Sequence, residues 1–137
     1  YSIHPKIELQ RTVNLILYIN PEWKSEYGGA FGLWEHNEET SSPGKIGKQI
    51  DCLFNRAVIF NTTQNSWHGI CNEITPPEGI TRNSLATYYL KEPMKGSDPR
   101  MKVRYAPTDE QKGDSDIEKL IEERQSMNTF SSVYIKK

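Results

Sequence analysis

Glu8-Leu9-Gln10-Arg11-Thr12-Val13-Asn14-Leu15-Ile16-Leu17-Tyr18-Ile19-Asn20 carries two unlike faces at a period of two. Val13, Leu15, Leu17 and Ile19 make one face, wholly apolar, while Asn14, Ile16, Tyr18 and Asn20 make the other. This alternation reads as a β-strand. A strand of a plain sandwich would place charge on its second face. Asn and Tyr interleaved with Ile suit instead the lining of a ligand cavity inside a barrel. Pro21 ends the strand, and Pro21-Glu22-Trp23 opens a connection closed by Gly28-Gly29.

Working outward, the chain continues in short strands. Ala30 to Glu35 is the second, and Ile46 to Asp51 is able to pair as another. Between them, His36 to Gly47 is polar and rich in Glu, Ser, Gly and Pro, with no helical or strand period, and is expected to be a long loop. Ala57 to Asn61, the most apolar run, reads as a central strand. Ser66 to Ile70 and Thr81 to Leu90 complete the set, separated by the turn Pro76-Pro77-Glu78-Gly79. Many short strands with turns and almost no helical signal argue for a sandwich or barrel. Beyond Pro93 the character changes. Ser115-Asp116-Ile117-Glu118 has a capping-box pattern, and Ile117, Leu120, Ile121 and Arg124 follow at helical spacing. One amphipathic helix is expected over about residues 115–127, packed on the outside of the barrel.

The 137 residues suffice for one domain with one core of ordinary size. The formal net charge of −1, with both signs interspersed, lacks the basic footprint of a nucleic-acid binder. Mean hydropathy is negative, no apolar run is long enough to span a bilayer, and the opening residues do not form a secretory signal. Cys52 and Cys71 fit no zinc spacing and are too few for a disulfide scaffold, so two reduced thiols in a cytoplasmic protein are expected. The chain opens at Tyr1, as a processed product or a fragment would.

Two residues draw chemical attention. His68 ends a strand between Trp67 and Gly69, and Arg82 opens the last one with Ser84 two residues on, on the same face. A buried arginine needs an anion, because an unpaired buried charge costs several kcal/mol. Its planar fork fits a carboxylate, and the Ser84 hydroxyl adds a donor. The competing account of Arg82 is an ordinary salt bridge to one of the chain's many glutamates.

Five blocks, in order, carry a resemblance. They are Arg11-x-x-Asn14-Leu15-Ile16-Leu17-Tyr18-Ile19-Asn20-Pro21-Glu22-Trp23, Tyr27-Gly28-Gly29-x-x-x-Leu33-Trp34, Phe54-Asn55-Arg56-x-Val58-Ile59-Phe60-Asn61, Ser66-Trp67-His68-Gly69, and Thr81-Arg82-x-Ser84-Leu85-Ala86-x-Tyr88-Tyr89. Over about residues 5–91 the chain resembles the prolyl-4-hydroxylase-type branch of the Fe(II)- and 2-oxoglutarate-dependent oxygenases. The resemblance implies a mainly β fold, a double-stranded β-helix of jelly-roll or cupin-like form, incomplete at its N-terminus and followed by a C-terminal α-helix. Residues 1–92 would be the C-terminal part of that barrel and 93–137 an extension carrying the helix. It implies iron and 2-oxoglutarate as cofactors, with oxygen and an unknown primary substrate as partners. His68 would be the distal iron ligand of a two-histidine, one-carboxylate triad. Arg82 would pair with the far carboxylate of 2-oxoglutarate and Tyr18 would help hold it. Asn14 would point into the pocket beside the metal, and Ser84 would be a second contact to the cosubstrate.

The chain departs from the family at one point: it contains no His-x-Asp motif, and its His-x-Glu, His36-Asn37-Glu38, stands inside the polar stretch. His4 is followed by Pro5-Lys6, and His36 by Asn37-Glu38. The missing ligands are expected just upstream of Tyr1, so that this stretch alone supplies one iron ligand of three. The intact protein is then expected to be a dioxygenase coupling 2-oxoglutarate decarboxylation to C–H hydroxylation. The 36–47 loop would help choose among a prolyl residue, a sugar and a small metabolite. Two rivals stand beside this reading. One is a non-catalytic small-molecule or carbohydrate binding module on the same barrel. The other is an interaction module whose helix and Val133-Tyr134-Ile135 tail dock on a partner or a second copy, which leaves a homo-oligomer open.

Overall fold

The computed structural model describes residues 3–4, 6–96, 104–108 and 111–126. The expected Val133-Tyr134-Ile135 tail lies outside them. The elements are β1 (Gln10–Tyr18), β2 (Phe31–Asn37), β3 (Ser42–Ile50), β4 (Ala57–Asn61), β5 (Trp67–Ile70), β6 (Ser84–Lys91) and α1 (Ser115–Ser126), with a 3-10 turn at Ser25–Tyr27. The chain is therefore mainly β with one C-terminal helix. No helix among the described residues is long and apolar enough to cross a membrane.

Two three-stranded sheets form, ordered β4-β1-β6 and β3-β2-β5, with every pairing antiparallel. The opening stretch is the centre of the first. Its register sets Asn14 opposite Phe60 and Tyr88, Ile16 opposite Val58 and Ala86, and Tyr18 opposite Ser84. Residues directly opposite share a face, so Asn14, Ile16, Tyr18, Val58 and Phe60 look inward together. Phe31 of the second sheet meets Phe60 of the first, ring centroids 4.9 Å apart. Around that contact Tyr18, Trp23, Phe31, Cys52, Val58 and Phe60 make the buried core. The far face of the first sheet is open, with Ile59, Leu85 and Tyr89 exposed.

The expected 36–47 loop is a strand pairing instead. β2 runs on to Asn37, β3 begins at Ser42, and the two form a hairpin whose turn is only residues 38–41. The Asn37 side-chain oxygen accepts from the backbone N–H groups of Glu39 and Thr40, at 3.0 and 3.2 Å, and closes that turn. The expected pairing from Ile46 is the second half of β3, and its first half, Ser42 to Lys45, carries no apolar alternation because β3 is an edge strand. Most of its residues stay in solvent, and its backbone pairing with β2 holds it. Pro43 is tolerated at such an edge, and Lys45 and Lys48 keep it from recruiting further strands.

The helix keeps the expected face, with Ile117, Leu120, Ile121 and Arg124 half-buried and the residues between them exposed. Its cap is displaced by one residue from the expected Ser115. Asp114 accepts from the N–H groups of Asp116 and Ile117, at 2.9 and 3.2 Å, and Glu118 reaches back to the N–H of Gly113.

Candidate functional site

Tyr18 closes β1 on the inward face and is 1% exposed, yet its hydroxyl has no hydrogen-bond partner. Four residues earlier on the same face, Asn14 is 4% exposed and its side-chain carbonyl oxygen is likewise unpartnered. A buried polar atom left unsatisfied costs about 1–3 kcal/mol. Two of them on one strand face mark a place where something polar belongs.

Arg82 stands beside Tyr18, in the approach to β6 rather than in the strand itself, which begins at Ser84. Its guanidinium lies over the Tyr18 ring, 5.2 Å from the centroid. Nε donates to the Gly29 carbonyl at 3.0 Å, and Nη2 donates to the Cys52 sulfur at 3.1 Å. Cys52 in turn donates its S–H to the same Gly29 carbonyl at 3.0 Å. No carboxylate among the described residues pairs with Arg82, so the ordinary salt bridge does not account for it. Burial, and then the nearby Cys52, push the Tyr18 hydroxyl well above the ordinary tyrosine range, with Arg82 opposing. Tyr18 therefore remains a neutral donor at physiological pH, and the stability gained by burying it neutral is lost only as pH climbs beyond that ordinary range.

His68 looks inward from β5, opposite Leu33 of β2. Its ring rests on Phe60 at 4.7 Å and Phe31 at 5.9 Å, the side chains that join the two sheets. Nδ1 sits 2.7 Å from the Ser66 carbonyl, which can only accept. The proton is thus on Nδ1, and the Nε2 lone pair is left to bind a metal. The other histidines are engaged elsewhere. His36 accepts from the Trp67 indole N–H at 2.9 Å, and Trp67 pairs with Trp34 on the face opposite His68. His4 accepts from the Lys6 backbone at 3.3 Å. No group of three or more His, Cys, Asp or Glu among the described residues could hold a metal. Ser84 shares the Tyr18 face by register but is exposed.

A family model of the 2OG-Fe(II) oxygenase superfamily matches residues 2–90, well over half the chain. The chain belongs to that superfamily. It is also similar to a prolyl 3-hydroxylase, OGFOD1 of Xenopus laevis, at 28% identity over 106 residues, which cover 74% of this chain and 20% of that protein. The chain thus spans about a fifth of the length of that relative.

Sequence reading missed two parts of this cluster around Arg82, Gly29 and Cys52. In the sequence Gly29 reads only as the close, with Gly28, of the connection after Pro21. It has φ +67°, and a Cβ there would stand 3.0 Å from Arg82 Cδ and 3.1 Å from Nε. Glycine is needed both for the backbone and for Arg82 to lie across it. Gly29→Ala is expected to cost about 1–2 kcal/mol from the left-handed backbone alone. It should also displace the guanidinium, so thermal melting and cosubstrate affinity should fall together. A fully active Gly29→Ala protein with unchanged melting would mean that the strand-to-strand crossing here is loose.

Proposed function

We propose that this domain is the cosubstrate-binding part of an Fe(II)- and 2-oxoglutarate-dependent dioxygenase, built on a double-stranded β-helix, with residues 1–92 in that barrel and 93–137 an extension. The observation that carries it is Arg82: a half-buried guanidinium with only neutral partners, set beside a buried tyrosine hydroxyl with none. A dicarboxylate fits both needs, pairing with Arg82 and accepting from Tyr18. Asn14 lies further along the same face and would orient ligand or water near the metal. Ser84, opposite Tyr18, would add a contact at the open edge. His68 would give Nε2 to iron, with Ser66 fixing the tautomer. When bound, iron would let dioxygen act as the oxidant, one oxygen atom going to 2-oxoglutarate as it is oxidised to succinate and carbon dioxide and the other to the substrate C–H bond. Phe31 and Phe60 pack against the His68 ring and would hold its orientation, while the residue itself stays exposed. The Xenopus relative is a prolyl 3-hydroxylase, and on that likeness we assign a prolyl residue as the C–H donor.

The test is anaerobic titration of the full-length protein with iron(II) and 2-oxoglutarate, followed by the visible charge-transfer band of the chelate. The band is expected in wild type and lost in His68→Ala. Binding of 2-oxoglutarate that is equal with and without iron, and indifferent to His68, would instead mark a non-catalytic binding module of the same fold.

A further inference from the structure

We infer that Cys52 is a positioning residue for Arg82, and that it decides which edge of the guanidinium meets the cosubstrate. The inference rests on the reading of Arg82 as the carboxylate anchor. A guanidinium presents two forked edges. The side edge combines Nε with Nη2, and the end edge combines Nη1 with the other N–H of Nη2. Here the side edge is taken, because Nε donates to the Gly29 carbonyl and Nη2 donates to the Cys52 sulfur. The thiol closes the arrangement by donating to the same carbonyl, so Cys52, 2% exposed, is held by two contacts. Among the described residues Nη1 makes no hydrogen bond, so the end edge is the one free to grip a carboxylate bidentately. The guanidinium carbon lies over the Tyr18 ring, 5.2 Å from its centroid, and the buried Tyr18 hydroxyl is a second donor for the same ligand.

Without the sulfur, Nη2 loses its anchor and the side edge is held only through Nε. The fork can then rotate about the Nε bond and pays for its orientation when the ligand binds. Serine restores both functions, accepting from Nη2 and donating to Gly29, whereas alanine restores neither.

The experiment measures dissociation constants by calorimetry in the full-length protein loaded with manganese(II), for 2-oxoglutarate and for pyruvate. Pyruvate has the same 2-oxo-carboxylate end but lacks the distal carboxylate. Cys52→Ala is expected to weaken 2-oxoglutarate by about ten-fold, the scale of one hydrogen bond to a charged group, and to leave pyruvate within about two-fold. Cys52→Ser should return 2-oxoglutarate to within about three-fold of wild type, and both variants should melt cooperatively. Equal weakening of both ligands in Cys52→Ala, or no recovery in Cys52→Ser, would reduce Cys52 to a packing residue and overturn the inference. If wild type itself fails to prefer 2-oxoglutarate over pyruvate, or Arg82→Ala keeps the preference, it is the anchor reading that fails. A preference that needs Arg82 and ignores Cys52 removes the positioning role alone.

Discussion

Arg82→Ala is expected to weaken 2-oxoglutarate binding by about thirty- to several-thousand-fold, the equivalent of about 2–5 kcal/mol for losing one partner of a partly desolvated charge pair. The size follows from what surrounds the guanidinium. Among the described residues its partners are a carbonyl and a thiol and no carboxylate neutralises it, so on the proposed reading the ligand's carboxylate would be the counter-charge. Arg82→Lys should recover only part of the loss, because lysine keeps the charge but has no fork and cannot hold the Gly29 and Cys52 contacts while gripping the ligand. Tyr18→Phe removes a single neutral donor and should cost about 0.5–1.5 kcal/mol. The burial that holds the Tyr18 hydroxyl protonated makes this contribution independent of pH through neutrality. Affinity should therefore fall in the order wild type, Tyr18→Phe, Arg82→Lys, Arg82→Ala, measured by calorimetry or as the apparent Michaelis constant for succinate formation. An Arg82→Ala protein that folds and binds 2-oxoglutarate as wild type does would move the cosubstrate site elsewhere.

The parts of this site that were legible in the sequence are those where one strand decides the outcome. The polar face of β1 could be read directly, since period-two alternation fixes which residues travel together, and Asn14 and Tyr18 do both face the core. The helix face was legible for the same reason at a different period. The placement of Arg82 near Tyr18 came from the order of whole blocks, and the structure brings the two side chains together. Three features were not legible. The first half of β3, Ser42 to Lys45, is held by a neighbour's backbone, which leaves no pattern in its own side chains, whereas the pairing from Ile46 was expected. The cap shifted from Ser115 to Asp114 because two residues able to cap stand side by side, and only the chain's path separates them. Cys52 reaches Arg82 across thirty residues of sequence, and its local context, Asp51-Cys52-Leu53, carries no sign of that contact.

Phe60→Ala is expected to destabilise the domain by about 3–5 kcal/mol, as large-to-small changes at buried aromatics do. Phe60 is 7% exposed and touches Phe31 across the sheets, so the space it leaves is walled by both and cannot simply collapse. That loss is a large fraction of the ~5–15 kcal/mol that holds a domain together, and the melting temperature should drop by roughly 10–20 °C. The informative control is its neighbour. Ile59 is the preceding residue of the same strand, 64% exposed on the opposite face, and Ile59→Ala should stay within about 0.5 kcal/mol of wild type. Local strand propensity changes similarly in the two variants, so the difference between their urea midpoints isolates which face is buried. A small effect at Phe60 would mean that the two sheets do not share a core through the Phe31 contact. His68 would then lose the wall its ring leans on, and with it the fixed ring orientation that its assignment as an iron ligand requires. An effect at Ile59 as large as that at Phe60 would show instead that the apolar far face of β1, β4 and β6 is covered in solution.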